Sequence, residues 1–247
     1  MPEGPSIFIV KETIGPLFKG KRITAASGNA KIEMGKLAGK KISDIKSWGK
    51  HLLICLPGLM IRIHFLMFGS YSMDTQTKQD RSVRLVLSAG KRKLYFYTCS
   101  VKLLEGELES LYDWEADLLS KKWNPAKARK KLKAIPKTMV CDAILDQDIF
   151  AGAGNIFKNE VLYRVRIHPE TRIQNIPPRK LTELVTETHR YAYDFLKWKK
   201  AFTLKKHWLA HTKKTCLRCD LPFIKKYCGK TKRRSFFCTN CQEKYGS

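Results

Sequence analysis

Five of the eight cysteines of this 247-residue chain lie between positions 216 and 241. Four of them pair as Cys216-Leu-Arg-Cys219 and Cys238-Thr-Asn-Cys241, two C-x-x-C knuckles separated by residues 220–237. Knuckles at this separation can close on one tetrahedral Zn2+, and four thiolates leave no coordination position for water. The chemistry expected of Cys216, Cys219, Cys238 and Cys241 is therefore structural: one zinc ion that folds a short segment. The intervening FIKKYCGKTKRRSFF reads as a hairpin turning at Gly229-Lys230, in which Cys228 is a buried strand cysteine rather than a ligand. Cys55, Cys99 and Cys141 are isolated in apolar surroundings and read as small core residues.

The hairpin also carries Lys225, Lys226, Lys230, Lys232, Arg233 and Arg234. These form either a phosphate-binding element or a solvated charged face. The whole chain shares the bias, with 48 Lys and Arg against 22 Asp and Glu, a formal charge of +26. Such an excess repels itself unless a polyanion neutralises it. Nucleic acid is the leading candidate, because each neutralised phosphate releases condensed counterions; ribosomes or acidic membranes are the alternative. His207 and His211 stand at i, i+4 spacing, but with four cysteines available they read as surface or nucleic-acid-facing residues. No segment approaches the ~20 apolar residues of a membrane span. The start MPEGPSIFIV lacks the basic and apolar regions of a signal peptide. An intracellular protein without membrane contact is expected.

The elements that would position these groups change character along the chain. KKISDIKSW, HLLICLPG and LMIRIHF are short strand patterns, and VRLVLSAGKRKLYFYTC reads as a hairpin with Ala89-Gly90 near its tip. Before them, a helix capped by Ser6 and running to about Leu17 would place Ile7, Val10, Ile14 and Leu17 on one face. After Asn124-Pro125 comes the basic stretch AKARKKLKAIPK, then helical patterns near 138–147 and 155–165. A longer helix after Pro177-Pro178 carries Leu181, Leu184, Val185, Thr188, Ala192 and Phe195 at helical spacing. The fold class expected is α+β, an N-terminal helix and antiparallel β-sandwich followed by a helical domain and a zinc hairpin. The boundary is placed near residue 122, and no internal repeat is evident.

Four motifs occur in a fixed order: Met1-Pro-Glu-Gly-Pro5, then Gly49-Lys50-His51-Leu52-Leu53, then Leu145-Asp146-Gln147 leading into Ala151-Gly152-Ala153-Gly154-Asn155, then the zinc hairpin. MPEGP alone is weak, since Pro2-Glu3 would equally start a helix with Pro5 in its first turn. Jointly the pattern resembles the formamidopyrimidine-DNA glycosylase and endonuclease VIII family over essentially the whole chain. The resemblance implies a catalytic β-sandwich domain (1–122), a helix–two-turn–helix DNA-binding domain (123–212) and a zinc finger (213–247). It also implies a bifunctional DNA glycosylase and abasic-site lyase of base excision repair, acting as a monomer on damaged double-stranded DNA.

Residue roles follow where the motifs match. Pro2, exposed by removal of Met1, resembles the family's nucleophile, and Glu3 its acid-base partner. An α-amine titrates near ~8, so a useful fraction is neutral at working pH. A secondary amine attacking the sugar C1′ gives an iminium that is cationic without a proton; this electron sink acidifies C2′ and permits β,δ-elimination of the phosphates. Glu3 can protonate the departing base or opened ring oxygen. Lys50 resembles a catalytic-site phosphate contact. Asn155, after two glycines that let backbone approach DNA, and Arg233, five positions before Cys238 beside Arg234, resemble phosphate contacts flanking an extruded nucleotide. Leu66, Met67 and Phe68 fall where the family carries the wedge that fills the emptied stack, with Met67 the first choice; sandwich core is the other reading of the three.

The chain departs from the formamidopyrimidine branch in three places. Ser6 stands where many relatives carry glutamate. Residues 97–102 lack the Asp-x-Arg-x-Phe-Gly pattern, and KAFTLKKHWLAHTKKT before Cys216 is too short for a lesion-capping loop. The last two place the chain nearer endonuclease VIII, which implies oxidised pyrimidines as substrates, with oxidised purines as the alternative within the same chemistry. A non-catalytic zinc-ribbon protein binding nucleic acid would share the charge and the zinc, but it does not require an N-terminal proline. The chain stops shortly after Cys241, so a bacterial, cytoplasmic, nucleoid-associated protein is expected, or a nuclear one if the source is eukaryotic.

Overall fold

The computed structural model describes residues 2–246 and divides into two compact units, one ending at Tyr112 and the other beginning at Asp113. The first unit opens with helix α1 (Gly4–Phe18). Eight strands follow: β1 (Ala25–Ser27), β2 (Asp44–Trp48), β3 (His51–Leu56), β4 (Leu59–His64), β5 (Ser70–Met73), β6 (Val83–Ala89), β7 (Arg92–Tyr97) and β8 (Ser100–Leu104). They form two antiparallel four-stranded sheets, ordered β1-β6-β7-β5 and β2-β3-β4-β8.

Strand β6 buries Val83, Leu85, Leu87 and Ala89 and leaves the residues between them half-exposed, the period-two signature of a sheet with one face on a core. Ile7, Ile14 and Phe18 of α1 join Leu52, Ile54, Ile61, Ile63, Leu85, Leu87 and Phe96 in one apolar cluster. Each such side chain contributes about 1.5–3 kcal/mol by leaving water. The expected cap, Ser6, lies inside the first turn instead. Glu3, in extended conformation at φ −112°, is the N-cap, because Pro5 has the φ that suits the first helical turn and draws the start forward.

The direction of α1 matters for the site. It packs on β2 and β3, and just beyond its C-terminus Lys19 pairs with Asp44, the first residue of β2, at 2.8 Å. The helix therefore runs back along β2. Fifteen helical residues rise about 22 Å and a five-residue strand about 17 Å. The start of α1 thus falls at the end of the sheet where β2 turns into β3, the turn that holds Lys50.

A short helix α2 (Leu108–Leu111) precedes the second unit, which contains α3 (Pro125–Lys133), α4 (Val140–Ala143), α5 (Asn155–Arg164), α6 (Pro178–Lys200) and the hairpin β9 (Ile224–Cys228) and β10 (Arg233–Phe237). Asn124 caps α3, its Oδ1 accepting from the N–H groups of Ala126 and Lys127, both at 3.1 Å. Helix α4 is shorter than the 138–147 pattern predicts. Asp146 turns the chain by accepting from the N–H of Asp148 at 2.9 Å, a local bond that competes with helix. Leu181, Leu184, Val185, Thr188, Ala192 and Phe195 are the buried stripe of α6, joined by Glu187 and Tyr191. No helix among the described residues is long and apolar enough to cross a membrane.

Candidate metal centre and nucleic-acid interface

The structure gathers Cys216, Cys219, Cys238 and Cys241 so that their sulfurs all lie within 4.8 Å of one another. None is in a disulfide. Zn–S bonds of about 2.3 Å set the S···S edges of a tetrahedron at about 3.8 Å; the Cys216–Cys241 pair lies at 3.7 Å. The donor set and spacing therefore fit a tetrahedral metal ion. Asn240 Nδ2 donates to Cys219 Sγ at 3.2 Å, and the Arg218 guanidinium approaches Cys241 Sγ at 4.0 Å, so polar hydrogens face the thiolate charge. Arg218 also donates to the last carbonyls of α5, Tyr163 O at 2.7 Å and Arg164 O at 3.3 Å, which ties the first knuckle to that helix. Cys228, the fifth thiol, lies buried at the end of β9 and outside the cluster.

Asn155 is the first residue of α5. The loop before it is stapled by Gln147, whose Oε1 accepts from Gly152 N at 3.1 Å and whose Nε2 donates to Leu145 O and Ala153 O at 2.7 and 3.1 Å. Gly152 has φ +102°, a backbone region closed to other residues. From this start α5 grips strand β10. Asn155 Nδ2 donates to Arg234 O at 3.1 Å, and Asn159 Oδ1 accepts from Phe236 N at 3.0 Å. The fully buried Lys158 Nζ donates to Arg233 O and Arg234 O at 3.2 and 3.1 Å. The structure therefore brings Asn155 to the backbone of Arg233 and Arg234. Their side chains are exposed, and Arg234 lies over the Tyr227 ring and donates to its hydroxyl at 2.8 Å. At the hairpin turn, Asp142 of α4 accepts from Lys230 N, Thr231 N and Thr231 Oγ1 at 2.7–3.0 Å.

His207 and His211 are not simple surface residues. His207 stacks on Trp198 with ring centroids 4.2 Å apart. His211 Nδ1 pairs with Asn159 Nδ2 at 3.1 Å, and burial, aided by the Lys158 charge, holds its imidazole down at about 4. Next to it, the fully buried Glu160 carboxylate accepts from the N–H groups of Leu209, Ala210 and His211 at 2.8–3.0 Å. Lys158, Asn159 and Glu160 were invisible to pattern reading, because consecutive polar residues look like a solvent face. The available signal was the apolar residues on both sides of them in a short helix.

In the first unit one end of the sheet β2-β3-β4-β8 collects the remaining candidates. Glu3 is buried and Pro2 half-buried at the start of α1. Lys50 follows Gly49, whose φ of +50° makes the two-residue turn. His51 and His64 are cross-strand partners there, with rings 5.4 Å apart. Burial lowers both imidazoles, His51 to about 4, and the charges of Arg62 and Lys50 push the same way. His64 Nδ1 accepts from Leu66 N at 3.3 Å. Beyond it Phe65 turns into the core while Leu66, Met67 and Phe68 are 47%, 55% and 75% exposed. The core reading of these three is therefore excluded. Leu66 has φ +53°, and a Cβ on Gly69 would come within 2.2 Å of Phe65 O, so the turn that lifts the three side chains is built tightly.

A helix-led β-sandwich and a helical unit closed by a four-cysteine hairpin define a class of DNA-repair folds, and comparison with known proteins names the class. Residues 1–99 match the formamidopyrimidine-DNA glycosylase N-terminal domain, and residues 115–201 match the formamidopyrimidine-DNA glycosylase H2TH domain, together about three quarters of the chain. The structure resembles Lactococcus lactis formamidopyrimidine-DNA glycosylase, crystallised bound to DNA with an abasic site, at TM-score 0.86 and 20% identity over 98% of this chain and 100% of that one. It resembles a viral DNA glycosylase at TM-score 0.84 and 21% identity, with the same coverage. In sequence the chain is 29% identical to mouse endonuclease 8-like 3 over 89% of its own length and 38% of the mouse protein. It is likewise 29% identical to the Lactobacillus helveticus formamidopyrimidine-DNA glycosylase, over 99% of this chain and 100% of that protein. It thus spans under two fifths of the endonuclease 8-like 3 proteins it matches. The chain belongs to the formamidopyrimidine-DNA glycosylase and endonuclease 8 family, whose members are DNA glycosylases with abasic-site lyase activity.

Proposed function

We propose that this chain excises oxidised bases, pyrimidines foremost, from double-stranded DNA and cleaves the strand through a Schiff base on Pro2. One observation carries the reading. Pro2 and Glu3 begin a helix that packs on β2 and β3, the strands whose turn holds Lys50, and Leu66, Met67 and Phe68 stand exposed just beyond β4. A nucleophile, an acid, a cation and an apolar wedge are the parts needed to attack a base-bearing carbon held out of the stack.

With Met1 removed, the Pro2 nitrogen lone pair attacks C1′ and the glycosidic bond breaks. Its electrons leave with the base, which takes a proton from Glu3. Ring opening, with the amine proton passing to O4′, gives the iminium; loss of the C2′ proton then expels the 3′ phosphate, and loss of the C4′ proton expels the 5′ phosphate. Lys50, Asn155 and Arg233 hold the phosphates. The four cysteines would hold a structural Zn2+, which supplies no chemistry to the reaction and folds the hairpin that carries Arg233. The protein acts as a monomer on damaged DNA, at the nucleoid of a bacterium or in the nucleus of a eukaryote.

Borohydride trapping on a duplex containing an abasic site or an oxidised pyrimidine tests this. A covalent adduct is expected with the free N-terminus and none with a form extended before Pro2. Tight binding without an adduct, with Pro2 shown free by mass spectrometry, overturns the catalytic reading in favour of a binding protein. A second substrate reading, oxidised purines, is favoured by the full-length match to a formamidopyrimidine-DNA glycosylase. Base-release profiles on the two lesion classes separate them.

A further inference from the structure

Among the described residues Lys158 is the only lysine or arginine that is buried. Burying an ammonium is costly unless its hydrogens are used, and here two go to the backbone oxygens of Arg233 and Arg234 at 3.2 and 3.1 Å. Asn155, one helical turn earlier, donates to the same Arg234 oxygen at 3.1 Å, and Asn159 reaches it at 3.4 Å. Residues 155, 158 and 159 lie on one face of α5 by the i, i+3, i+4 rule, and that face is spent on the strand carrying both arginines. Among the described residues no carboxylate forms an ion pair with Lys158. Asp142, the nearby candidate, is engaged by the hairpin turn. The positive charge is therefore held by backbone oxygens rather than by an ion pair, one helical turn from Asn155.

We propose that Lys158 is a positioning residue for anion binding, holding the Arg233–Arg234 backbone against the first turn of α5 and lending its buried charge to the phosphate that Asn155 and Arg233 contact. This rests on the reading of those two residues given above.

The charge has a pH signature. Burial brings the Lys158 ammonium down to about 8; Cys141, Cys228 and Asp142 oppose the shift and Arg233 adds to it. A phosphate at Asn155 favours the protonated form, so the bound complex holds its proton to higher pH than the free protein. Affinity must then fall as pH rises through about 8. The groups facing Lys158 do not imitate this. Burial pushes Cys141 up to about 12 and raises Cys228, and His211 lies near 4. The N-terminal amine does titrate near ~8, so the decisive readout is the difference between variants.

Binding of an uncleavable abasic-analogue duplex is measured from pH 6.5 to 9.5 for the wild type, Lys158→Met and Lys158→Arg. Lys158→Met should lose about tenfold in affinity at neutral pH, keep its bound metal, and lose the part of the alkaline decline that the wild type shows. Lys158→Arg should restore affinity with the same flattening. If the variants do not fold, the 13Cε resonance of Lys158 in the wild type decides: its titration should move up by a unit or more when duplex is added. Wild-type affinity and an unchanged pH profile in a folded Lys158→Met, or a Lys158 titration indifferent to duplex, overturns the inference alone. Failure of the wild type to bind or trap abasic DNA removes the functional reading and this inference with it.

Discussion

The two units of this chain are held together by different means. The sandwich core is a continuous apolar cluster fed by both sheets and one face of α1. The helical unit has an apolar core too, which takes in Cys228 and Phe237 of the hairpin, but directional bonds are added there: Lys158 and Asn155 to the strand carbonyls and Asp142 to the turn, while Glu160 ties residues 209–211 ahead of the first knuckle. Apolar contacts tolerate changes of shape when volume is kept. A buried polar bond fails when one partner is altered. The first arrangement suits a scaffold, and the second suits an element whose placement must be exact to fractions of an ångström.

The largest effect that would test this contrast is at the cysteines. Cys238→Ser should abolish metal binding and melt residues 224–237, since structural zinc contributes on the order of 10 kcal/mol in such fingers. Amide signals of the sandwich should stay unchanged, and full metal content in that variant would refute the ligand set. Next, Glu160→Ala leaves three N–H groups without their acceptor and should cost about 3 kcal/mol in the second unit by urea denaturation. Ile61→Ala should cost about 2–4 kcal/mol in the first.

Ile61→Leu should cost about 1 kcal/mol and Glu160→Gln about 2 kcal/mol; equal costs would dissolve the distinction. Gly69→Ala, which forces a Cβ against Phe65 O, should cost about 1–2 kcal/mol and weaken lesion-duplex binding through the Leu66–Phe68 turn. The remaining effect, spread over more than two pH units, is the acid limb of the first unit. Folded His51 titrates near 4, below its ordinary value of 6.5. The unfolded chain therefore binds the proton first, and stability falls as pH drops from 6.5 toward 4. His51→Phe should reduce that slope in the sandwich, leaving the part from His64, while the slope from His211 in the second unit persists.

What sequence revealed follows the same division. The strand runs 51–56 and 59–64 and the hairpin at Ala89-Gly90 were legible as short apolar segments punctuated by turn residues, and the six-residue stripe of α6 from its helical period. The short strands β1, β5 and β8 carry too few residues for a period to show. The cysteine knuckles were legible from spacing alone, since four thiols have little else to do at that distance. The exposure of Leu66, Met67 and Phe68 was not, because apolar residues in a turn read equally as core; only the backbone at Leu66 and Gly69 decides it. Helix α5 was legible as a helix, but its burial of a lysine, an asparagine and a glutamate was not, because polar residues give no apolar period to show it.

The Glu160 carboxylate has a consequence for solvent exchange. Residues 209–211 belong to no helix or strand, and segments of that kind normally trade amide hydrogens with water in fast local openings. Here all three amides end on one buried carboxylate, so none can open without disturbing the others. They should exchange with deuterium as a single group, at the slow rate of α5 rather than of a loop. That shared protection would mark the stretch leading to the first cysteine knuckle as part of the helix's cooperative unit.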